Sequence, residues 1–247
     1  MLDIWYMNQP HPGNMGDILT PWLLKQDNVV FKKVSRGSNK TLCIGSIIKF
    51  AKAGDDIWGS GVLHTNDKIN PDAVFHAVRG PLTREIILKN GGACEEVYGD
   101  PALLLPRFHT PKVIGKEGMC IVPHYVDYED AIDSNIGIDV INILNADPIE
   151  VVDDIVRHDI VFSSSLHGLI VAHAYNIPAV WLKLSDKLVG DDIKFRDHYA
   201  ALGIEAKSFE KPCAEAIELA YKQQTAIKMP DLDKLWNCRP WRKTCIL

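Results

Sequence analysis

The fold is decided by the stretch from Asp159 to Lys183, which has the sequence D-I-V-F-S-S-S-L-H-G-L-I-V-A-H-A-Y-N-I-P-A-V-W-L-K. Residues 160–162 form an apolar run typical of a short buried strand, and the apolar residues that recur from Leu166 onward predict a helix. Asn176 is expected to end this helix, with Pro178 just beyond it. The stretch therefore predicts a strand, a turn of three serines and a helix.

His167 lies in the first turn of this predicted helix. The first N–H groups of a helix have no partner within the helix, and the helix dipole is positive at this end. A helix start therefore binds phosphate or carboxylate without a metal. We expect an anion to bind beside His167, at the backbone of residues 163–166. The alternative is that His167 only caps the three serines.

The composition is that of an ordinary globular protein. With 247 residues, of which 47% are apolar, the chain can form one large domain or two small ones. The net charge of -5 argues against nucleic acid as a partner, because duplex binding depends on clustered lysine and arginine. No apolar run reaches the roughly 18 to 20 residues of a membrane-spanning helix, and the N-terminus lacks the layout of a signal peptide. We therefore expect a cytoplasmic protein.

The cysteines and glycines indicate neither a metal nor a cofactor. The six cysteines include no C-x-x-C pair and no histidine at zinc-ligand spacing, so we expect reduced thiols and no metal site. Gly13 and Gly16 let the backbone approach a ligand closely, but the chain has no G-x-G-x-x-G fingerprint of a dinucleotide site. No cofactor is predicted.

Strands and helices alternate along the chain, which implies parallel sheets covered on both faces. In the first half we predict strands at residues 2–7, 41–44, 56–58 and 73–78, and helices at residues 18–26 and 82–90. After a polar linker around residues 106–118, we predict strands at residues 119–122, 140–144 and 160–162, and helices at residues 148–158, 166–175 and 213–227. The last helix would pack across one half or bridge both. We therefore expect an α/β protein with two Rossmann-like domains around a cleft, residues 1–112 and residues 113–247.

Four loops stand at the carboxyl ends of predicted strands, where α/β sheets place their ligands. They are residues 13–17, 59–61, 79–84 and 163–168. Asp17, in the first loop, is explained equally well as a ligand contact and as the N-cap of the helix that follows. His124 is a second histidine at a predicted strand end.

Cationic residues near these loops are candidates for binding an anion. Arg79 precedes Gly80-Pro81, so its side chain would emerge beside a helix start. A guanidinium forms bidentate hydrogen bonds with carboxylate or phosphate, and we expect Arg79 to clamp an anion. Lys194 and Arg196 lie in a charged segment that we interpret as a mobile loop over the cleft or, equally well, as a salt-bridged surface loop.

The tail departs from the average composition because Trp236, Arg239, Trp241, Arg242 and Lys243 lie close together in it. Basic and aromatic residues together can lodge at an anionic membrane surface, which would give peripheral membrane contact. The alternative, which we favour, is that the tryptophans pack on the body while the charges face water.

The loop motifs occur together and in a definite order. They are Asn14-x-Gly16-Asp17, Gly59-Ser60-Gly61, Arg79-Gly80-Pro81-x-Thr83 with Gly99-Asp100-Pro101-Ala102, and Ser165-Leu166-His167-Gly168 followed by Asn176-Ile177-Pro178. In this order, from about residue 5 to residue 205, they resemble the polysaccharide pyruvyl transferase family. The resemblance implies a two-domain fold similar to GT-B glycosyltransferases, with phosphoenolpyruvate as donor and a pair of sugar hydroxyls as acceptor. The product would be a pyruvate ketal on a precursor of a cell-surface polysaccharide.

The resemblance also implies roles for the site residues. His167 would be the general acid, and Asp17, Asp100 or His124 would accept the proton of the attacking hydroxyl. The donor carboxylate and phosphate would bind Arg79, Lys194 and the start of the helix at residue 166. The full substrate-binding set is Asn14, Gly16, Ser60, Arg79, His124, Ser163, Ser164, Ser165, Leu166, Gly168 and Lys194. The family often has arginine where this chain has Ser165, and Lys194 is the candidate replacement.

The donor is expected on the side of residues 113–247, and the acceptor, still attached to a lipid carrier, on the side of residues 1–112. The enzyme would work in the cytoplasm, including at the inner face of the membrane. Two alternatives stay open. A glycosyltransferase of the same build would use a nucleotide sugar, although no acidic residue is convincingly placed for its ribose. A glycan-binding protein without catalysis would fit the serine at position 165.

Overall fold

The computed structural model describes residues 1–35, 37, 39–112, 117–133 and 137–244. These residues form two parallel sheets of five strands each, with helices packed against them. The α/β class predicted from the alternating pattern is therefore confirmed. Part of the predicted linker, residues 113–116, lies outside the described residues. No helix in the described part of the chain is long and apolar enough to cross a membrane.

The first sheet is built from the first 77 residues of the chain. Its strands are β1 (Leu2–Ile4), β2 (Phe31–Lys33), β3 (Thr41–Leu42), β4 (Asp56–Trp58) and β5 (Val74–Ala77), in the order β2-β1-β3-β4-β5. Helices α1 (Met15–Gln26) and α2 (Pro81–Lys89) follow β1 and β5. Because all neighbouring strands are parallel, their carboxyl ends meet at one edge of the sheet.

The second sheet repeats this plan. Its strands are β6 (Met119–Val122), β7 (Asp139–Val140), β8 (Ile160–Ser163), β9 (Ala179–Leu182) and β10 (Ser208–Phe209), in the order β10-β9-β8-β6-β7. Its helices are α3 (Tyr128–Asp133), α4 (Pro148–Val156), α5 (Leu166–Ala174), α6 (Ile193–Ala201) and α7 (Ala214–Ala226), and a short α8 (Leu232–Asn237) follows. Every residue of β8 and β9 is buried, as expected for strands covered on both faces.

The stretch that decides the fold has the predicted structure. Residues 160–163 form β8, and α5 begins at Leu166 with Ser165 as its N-cap, whose hydroxyl accepts a hydrogen bond from the Gly168 N–H (3.4 Å). Asn176, at a φ of 58°, turns the chain out of the helix, as predicted. The strand predicted at residues 140–144 is shorter than expected. The reason is that Ile143 leaves the second sheet and accepts a hydrogen bond from the Met15 N–H (2.9 Å) in the first half.

Two elements differ from the prediction in ways that affect the site. Helix α1 begins at Met15, because the Asn14 side chain accepts a hydrogen bond from the Gly16 N–H (3.2 Å). The N-cap is therefore Asn14, and the interpretation of Asp17 as the cap is wrong. The segment around Lys194 is the buried helix α6 and not a mobile or surface loop. The charged residues of this segment indicated an exposed loop, but some of them are paired in the interior, as Asp197 is with Arg79 and Thr83.

The last described segment returns to the first half. Helix α7 packs on β9, but Leu235 in α8 accepts a hydrogen bond from the Trp58 ring nitrogen (2.8 Å) in β4. Trp241 packs edge-on against Trp58, at 4.9 Å between ring centroids. The packing of the tail tryptophans on the body is therefore confirmed, and Trp241 is not exposed for insertion into a membrane.

Candidate active site

A cavity of about 280 Å³ lies between the two halves, where the carboxyl ends of both sets of strands converge. The first half contributes the segment after β1, the start of α1 and the segment after β3. The second half contributes the loop after β6, the start of α5, the segment that precedes α6 and the first turn of α6. The polar and charged lining residues are Gln9, Asn14, Asp17, Ser46, Lys49, His124, Ser165, His167, Lys187 and Lys194. The structure therefore brings together six of the polar residues predicted for the site: Asn14, Asp17, His124, Ser165, His167 and Lys194.

His167 lies at the centre of the junction between the halves. Its ring is packed so closely on the backbone of Gly16 that a Cβ at this glycine would lie 1.9 Å from the His167 Nδ1. The prediction that Gly16 approaches a ligand is therefore corrected: Gly16 packs against the His167 ring and is not among the residues that line the cavity. Leu166, the neighbour of His167 at the start of α5, also lines the cavity.

Asp100 lies behind the His167 ring. Its Oδ1 accepts a hydrogen bond from the Ala102 N–H (2.9 Å), and its Oδ2 lies 3.6 Å from the His167 Nε2. Both of the latter atoms are buried, and among the described residues neither has a hydrogen-bond partner. A small shift of the His167 ring towards Asp100 would allow a hydrogen bond between the two atoms. The carboxylate would then hold a proton on Nε2 and fix the ring orientation. Asp100 does not line the cavity, so this positioning role suits it better than direct contact with substrate.

Asp17 faces the cavity from the first turn of α1. Burial raises the pKa of this carboxyl from its ordinary value of 3.8 to about 6, although the charges of His167, Lys194 and Lys33 oppose the shift. A carboxyl group with this pKa exchanges protons readily near neutral pH, which suits a general base or acid.

Lys194 extends from α6 into the cavity and is 8% exposed. Burial and, to a smaller extent, the nearby Arg79 lower the pKa of its ammonium from 10.5 to about 8, while Asp192, Asp127 and Asp17 act in the opposite direction. Its ammonium lies over the Phe195 ring, at 5.1 Å from the ring centroid. An anionic ligand would strongly stabilise the charged form of such a buried ammonium.

His124 has the opposite character. Burial lowers the pKa of its imidazole to about 3, with contributions from Lys194 and His167. Its Nδ1 accepts a hydrogen bond from the Val126 N–H (3.4 Å), so the ring is neutral at physiological pH. His124 is therefore a weaker base than Asp17 and suits a hydrogen-bonding role towards substrate.

The serines predicted to bind substrate divide into two groups. Ser165 lines the cavity, whereas the Ser163 hydroxyl donates to the Val122 carbonyl (2.7 Å) and the Ser164 hydroxyl donates to Asp127 (2.7 Å). The two buried hydroxyls hold the turn between β8 and α5 in place. Neither Ser163 nor Ser164 is among the residues that line the cavity described above.

Two more predicted contacts lie away from the cavity. The Ser60 hydroxyl is buried and donates to the Gly45 carbonyl (2.9 Å). Gly168 is needed for packing, since a Cβ there would lie 2.4 Å from the Ser163 hydroxyl oxygen. Both residues shape the loops around the site without facing it.

Arg79 is the main correction to the predicted site. Its side chain is fully buried, and its three guanidinium nitrogens donate to Asp197 (3.0 Å), Ser46 (2.8 Å) and the Val62 carbonyl (2.7 Å). The charge is neutralised by Asp197, and the group does not line the cavity. The predicted anion clamp is therefore not supported, because the three hydrogen bonds hold the guanidinium away from the cavity.

The sequence analysis missed the segment after β3, which lines the cavity with Ser46, Lys49 and Phe50. Gly45, at the carboxyl end of this short strand, was the available signal. Lys187 was also missed; it lines the cavity rim and pairs with Asp130 (2.6 Å).

One cluster outside the cavity has side chains of the kinds that bind metals: Glu117, Asp139 and His158. The His158 ring already bonds on both sides, to the Asp154 carbonyl (2.8 Å) and to Asp139 (3.2 Å). The Glu117 carboxylate pairs with Arg157. These partners account for the cluster without an ion.

Comparisons with known proteins agree with the motifs. A model of the polysaccharide pyruvyl transferase family matches residues 57–186. An uncharacterized protein of Acanthamoeba polyphaga mimivirus is 32% identical over an alignment of 183 residues, and the match covers 69% of this chain. The matched region spans 62% of the viral protein.

Proposed function

The chain belongs to the polysaccharide pyruvyl transferase family, and on that premise we propose that it forms a pyruvate ketal on a glycan, with phosphoenolpyruvate as the donor. We further propose that the two halves, residues 1–112 and residues 113–247, are domains arranged as in GT-B glycosyltransferases. In this proposal the second half holds the donor and the first half holds the acceptor, a lipid-linked precursor presented at the inner face of the membrane.

The observation that carries the proposal is the buried ammonium of Lys194 beside the start of α5. Phosphoenolpyruvate has a carboxylate and an almost doubly ionised phosphate, so its binding site must supply cations and free N–H groups. Lys194 supplies one cation, and the first turn of α5 supplies backbone N–H groups that have no acceptor within the helix. Lys194 would thus take the place of the family arginine that Ser165 replaces.

The proposed reaction begins with a proton transfer. His167, protonated when the anionic donor arrives, delivers its proton to the methylene carbon of phosphoenolpyruvate, which becomes a methyl group. The adjacent carbon becomes oxocarbenium-like, and a sugar hydroxyl adds to it while Asp17 accepts the hydroxyl proton. The oxygen of the second hydroxyl then bonds to the same carbon and displaces phosphate, which leaves with the electrons of the broken C–O bond. The proton of the second hydroxyl leaves with the phosphate. Asp100 would hold the His167 ring in place throughout.

The turnover test uses phosphate release from phosphoenolpyruvate, with methyl galactoside and methyl glucoside as acceptors because each offers a pair of hydroxyls. We expect His167→Ala to lower turnover by about a hundredfold or more while the circular dichroism spectrum stays unchanged. His76→Ala, which changes a histidine that does not line the cavity, is the matched control and should keep full turnover. Equal turnover in His167→Ala and the control would remove His167 from the mechanism.

The donor test is calorimetric titration of the wild-type protein with phosphoenolpyruvate and, in parallel, with a panel of nucleotide sugars. We expect saturable binding of phosphoenolpyruvate, weakened by about tenfold or more in Lys194→Met, which removes the cation. Saturable binding of a nucleotide sugar, with none of phosphoenolpyruvate, would overturn the proposal in favour of a glycosyltransferase.

A further inference from the structure

Helix α6 is shared by the two halves of the molecule. It follows β9 of the second half and packs there, since Phe195 stacks on Trp181 at 4.5 Å between ring centroids and His198 bonds to His173 of α5 (3.0 Å). The same helix also packs along α2 of the first half. Its placement therefore determines how side chains from the second half meet the first.

The contact between α6 and α2 is centred on Asp197. Its carboxylate is fully buried and accepts hydrogen bonds from the Arg79 Nε (3.0 Å), the Thr83 N–H (3.0 Å) and the Thr83 hydroxyl (2.6 Å). Arg79 is held in turn by Ser46 and Val62, both in the first half. We call Arg79, Thr83 and Asp197 the α6 clasp.

Two glycines show how closely the clasp is fitted. A Cβ at Gly61 would lie 2.3 Å from the Arg79 Cζ, and a Cβ at Gly80 would lie 2.2 Å from the Asp197 carbonyl oxygen. Glycine is thus required on both sides of the clasp. The Gly-Ser-Gly and Arg-Gly-Pro-x-Thr motifs, which resembled a ligand site, are accounted for by this contact.

The clasp is next to Lys194, the cation proposed to bind the donor. Lys194 precedes Asp197 by three residues on α6, and residues three apart are neighbours on one helix surface. Just before the helix, Asp191 accepts hydrogen bonds from the Thr65 N–H (2.8 Å) and hydroxyl (2.6 Å), so a second contact with the first half secures its beginning. Lys194 is therefore held between two anchors.

A buried ion pair contributes little net stability compared with apolar packing, but it fixes one arrangement, because displacing either charge leaves the other buried without a partner. We propose that Arg79, Thr83 and Asp197 are positioning residues, whose clasp holds α6 against α2 and thereby keeps the Lys194 ammonium in the cavity for the anionic donor. The identity of the donor rests on the proposed function.

The test begins with Thr83, since Asp197 variants leave a buried arginine unneutralised and are liable to unfold. Thr83→Val keeps the shape and removes the hydroxyl that donates to Asp197, whereas Thr83→Ser keeps that donor. We expect Thr83→Val to raise the calorimetric Kd and the KM for phosphoenolpyruvate by about tenfold, with kcat within about threefold of wild type. Thr83→Ser should restore values within about twofold of wild type. A loss confined to kcat would overturn the proposal.

A double-mutant cycle distinguishes positioning from general damage. If the clasp acts through Lys194, then Thr83→Val should weaken donor binding no further once Lys194→Met is present. A second, independent loss in the double variant would overturn the proposal. Asp191→Ala, at the more exposed anchor, is a further variant expected to weaken binding in the same direction and, like Thr83→Val, to add nothing to Lys194→Met.

Amine labelling tests the clasp without any turnover. The rate at which Lys194 reacts with an acylating reagent, followed by mass spectrometry across pH, reports both its pKa and its accessibility, and Lys187 is the internal control. We expect Thr83→Val to move the labelling midpoint of Lys194 to higher pH, as release from burial requires, and to leave Lys187 unchanged. An unchanged Lys194 profile would overturn the clasp. Failure of wild type to bind phosphoenolpyruvate would instead overturn the proposed function.

Discussion

At the scale of single residues, the proposed catalytic role of Asp17 conflicts with the stability of the folded protein. Burial disfavours its charge and raises its pKa to about 6, whereas the proposed reaction uses Asp17 as a proton acceptor at neutral pH. The folded protein therefore carries a charged carboxylate that its surroundings oppose. Active sites commonly have this conflict between function and stability.

We predict that Asp17→Asn stabilises the protein at alkaline pH. Because the folded-state pKa is raised above the ordinary 3.8, the stabilising contribution of protonated Asp17 is complete below pH 3.8 and is lost as the pH rises through about 6. The variant should therefore gain up to about 3 kcal/mol of unfolding free energy at pH 8. Urea unfolding at pH 4 and pH 8 measures this difference.

The control for this prediction is Asp72→Asn, at an exposed carboxylate outside the cavity. Its unfolding free energy should change equally little at both pH values. A gain in Asp17→Asn that is the same at pH 4 and pH 8 would show that the effect is not electrostatic.

At the scale of elements, α5 and α6 meet through a pair of buried histidines. The His173 Nδ1 and the His198 Nε2 are 3.0 Å apart, and both rings are buried. Burial lowers the pKa of His173 to about 4 and that of His198 well below 6.5, where Arg79 and His167 add to the shift. Both rings are therefore neutral in the folded protein at physiological pH.

We predict that this pair makes the protein sensitive to acid. The folded-state pKa values are depressed, so the stabilising contribution is present above pH 6.5 and is lost as the pH falls towards 4. Each ring should lower the unfolding free energy by up to about 1.4 kcal/mol per pH unit in this range. In urea unfolding between pH 7 and pH 4.5, His173→Leu should show a smaller slope than wild type, and an equal slope would contradict the prediction.

The elements also show which parts of the structure the sequence could predict. Strand β8 and helix α5 were predicted because their own side chains carry the apolar pattern and the caps. Helix α6 was not, because its polar residues are buried by contacts with distant residues, such as Asp197 with Arg79, 118 positions away. Local patterns contain no signal of such pairs.

The same difference is found at the site. The presence of His167 and Asp17 in the site could be predicted because both lie in loops at strand ends. The hydrogen bonds that hold the Arg79 guanidinium could not, because they depend on the packing of the two halves.

At the scale of the whole molecule, the returning tail joins the two halves. Trp58 of β4 is fully buried beneath Leu235 and Trp241, and Asp27 accepts a hydrogen bond from the Trp241 ring nitrogen and another from Arg239 (2.8 Å). The largest core cluster accordingly runs from Ile4 of β1 to Trp241. The tail and helix α6 therefore both contact the first half of the chain.

We predict that Trp241→Ala destabilises the whole protein by about 3 to 5 kcal/mol, because it opens a cavity beside Trp58. Both halves should lose structure in a single unfolding transition, since the core they share is the part affected. Differential scanning calorimetry measures this, and Arg242→Ala, at an exposed neighbour, is the control. Two separate transitions in the variant would mean that the halves are stable independently.

The covering of Trp58 by residues 235–241 has a consequence for biosynthesis. A ribosome adds about 5 to 20 residues per second, so Trp58 emerges roughly 10 to 40 seconds before the segment that shields it. During that interval the nascent chain presents an uncovered indole and an unfinished sheet. Chaperones that hold exposed apolar segments should therefore engage the growing polypeptide until residues 235–241 have emerged and covered Trp58.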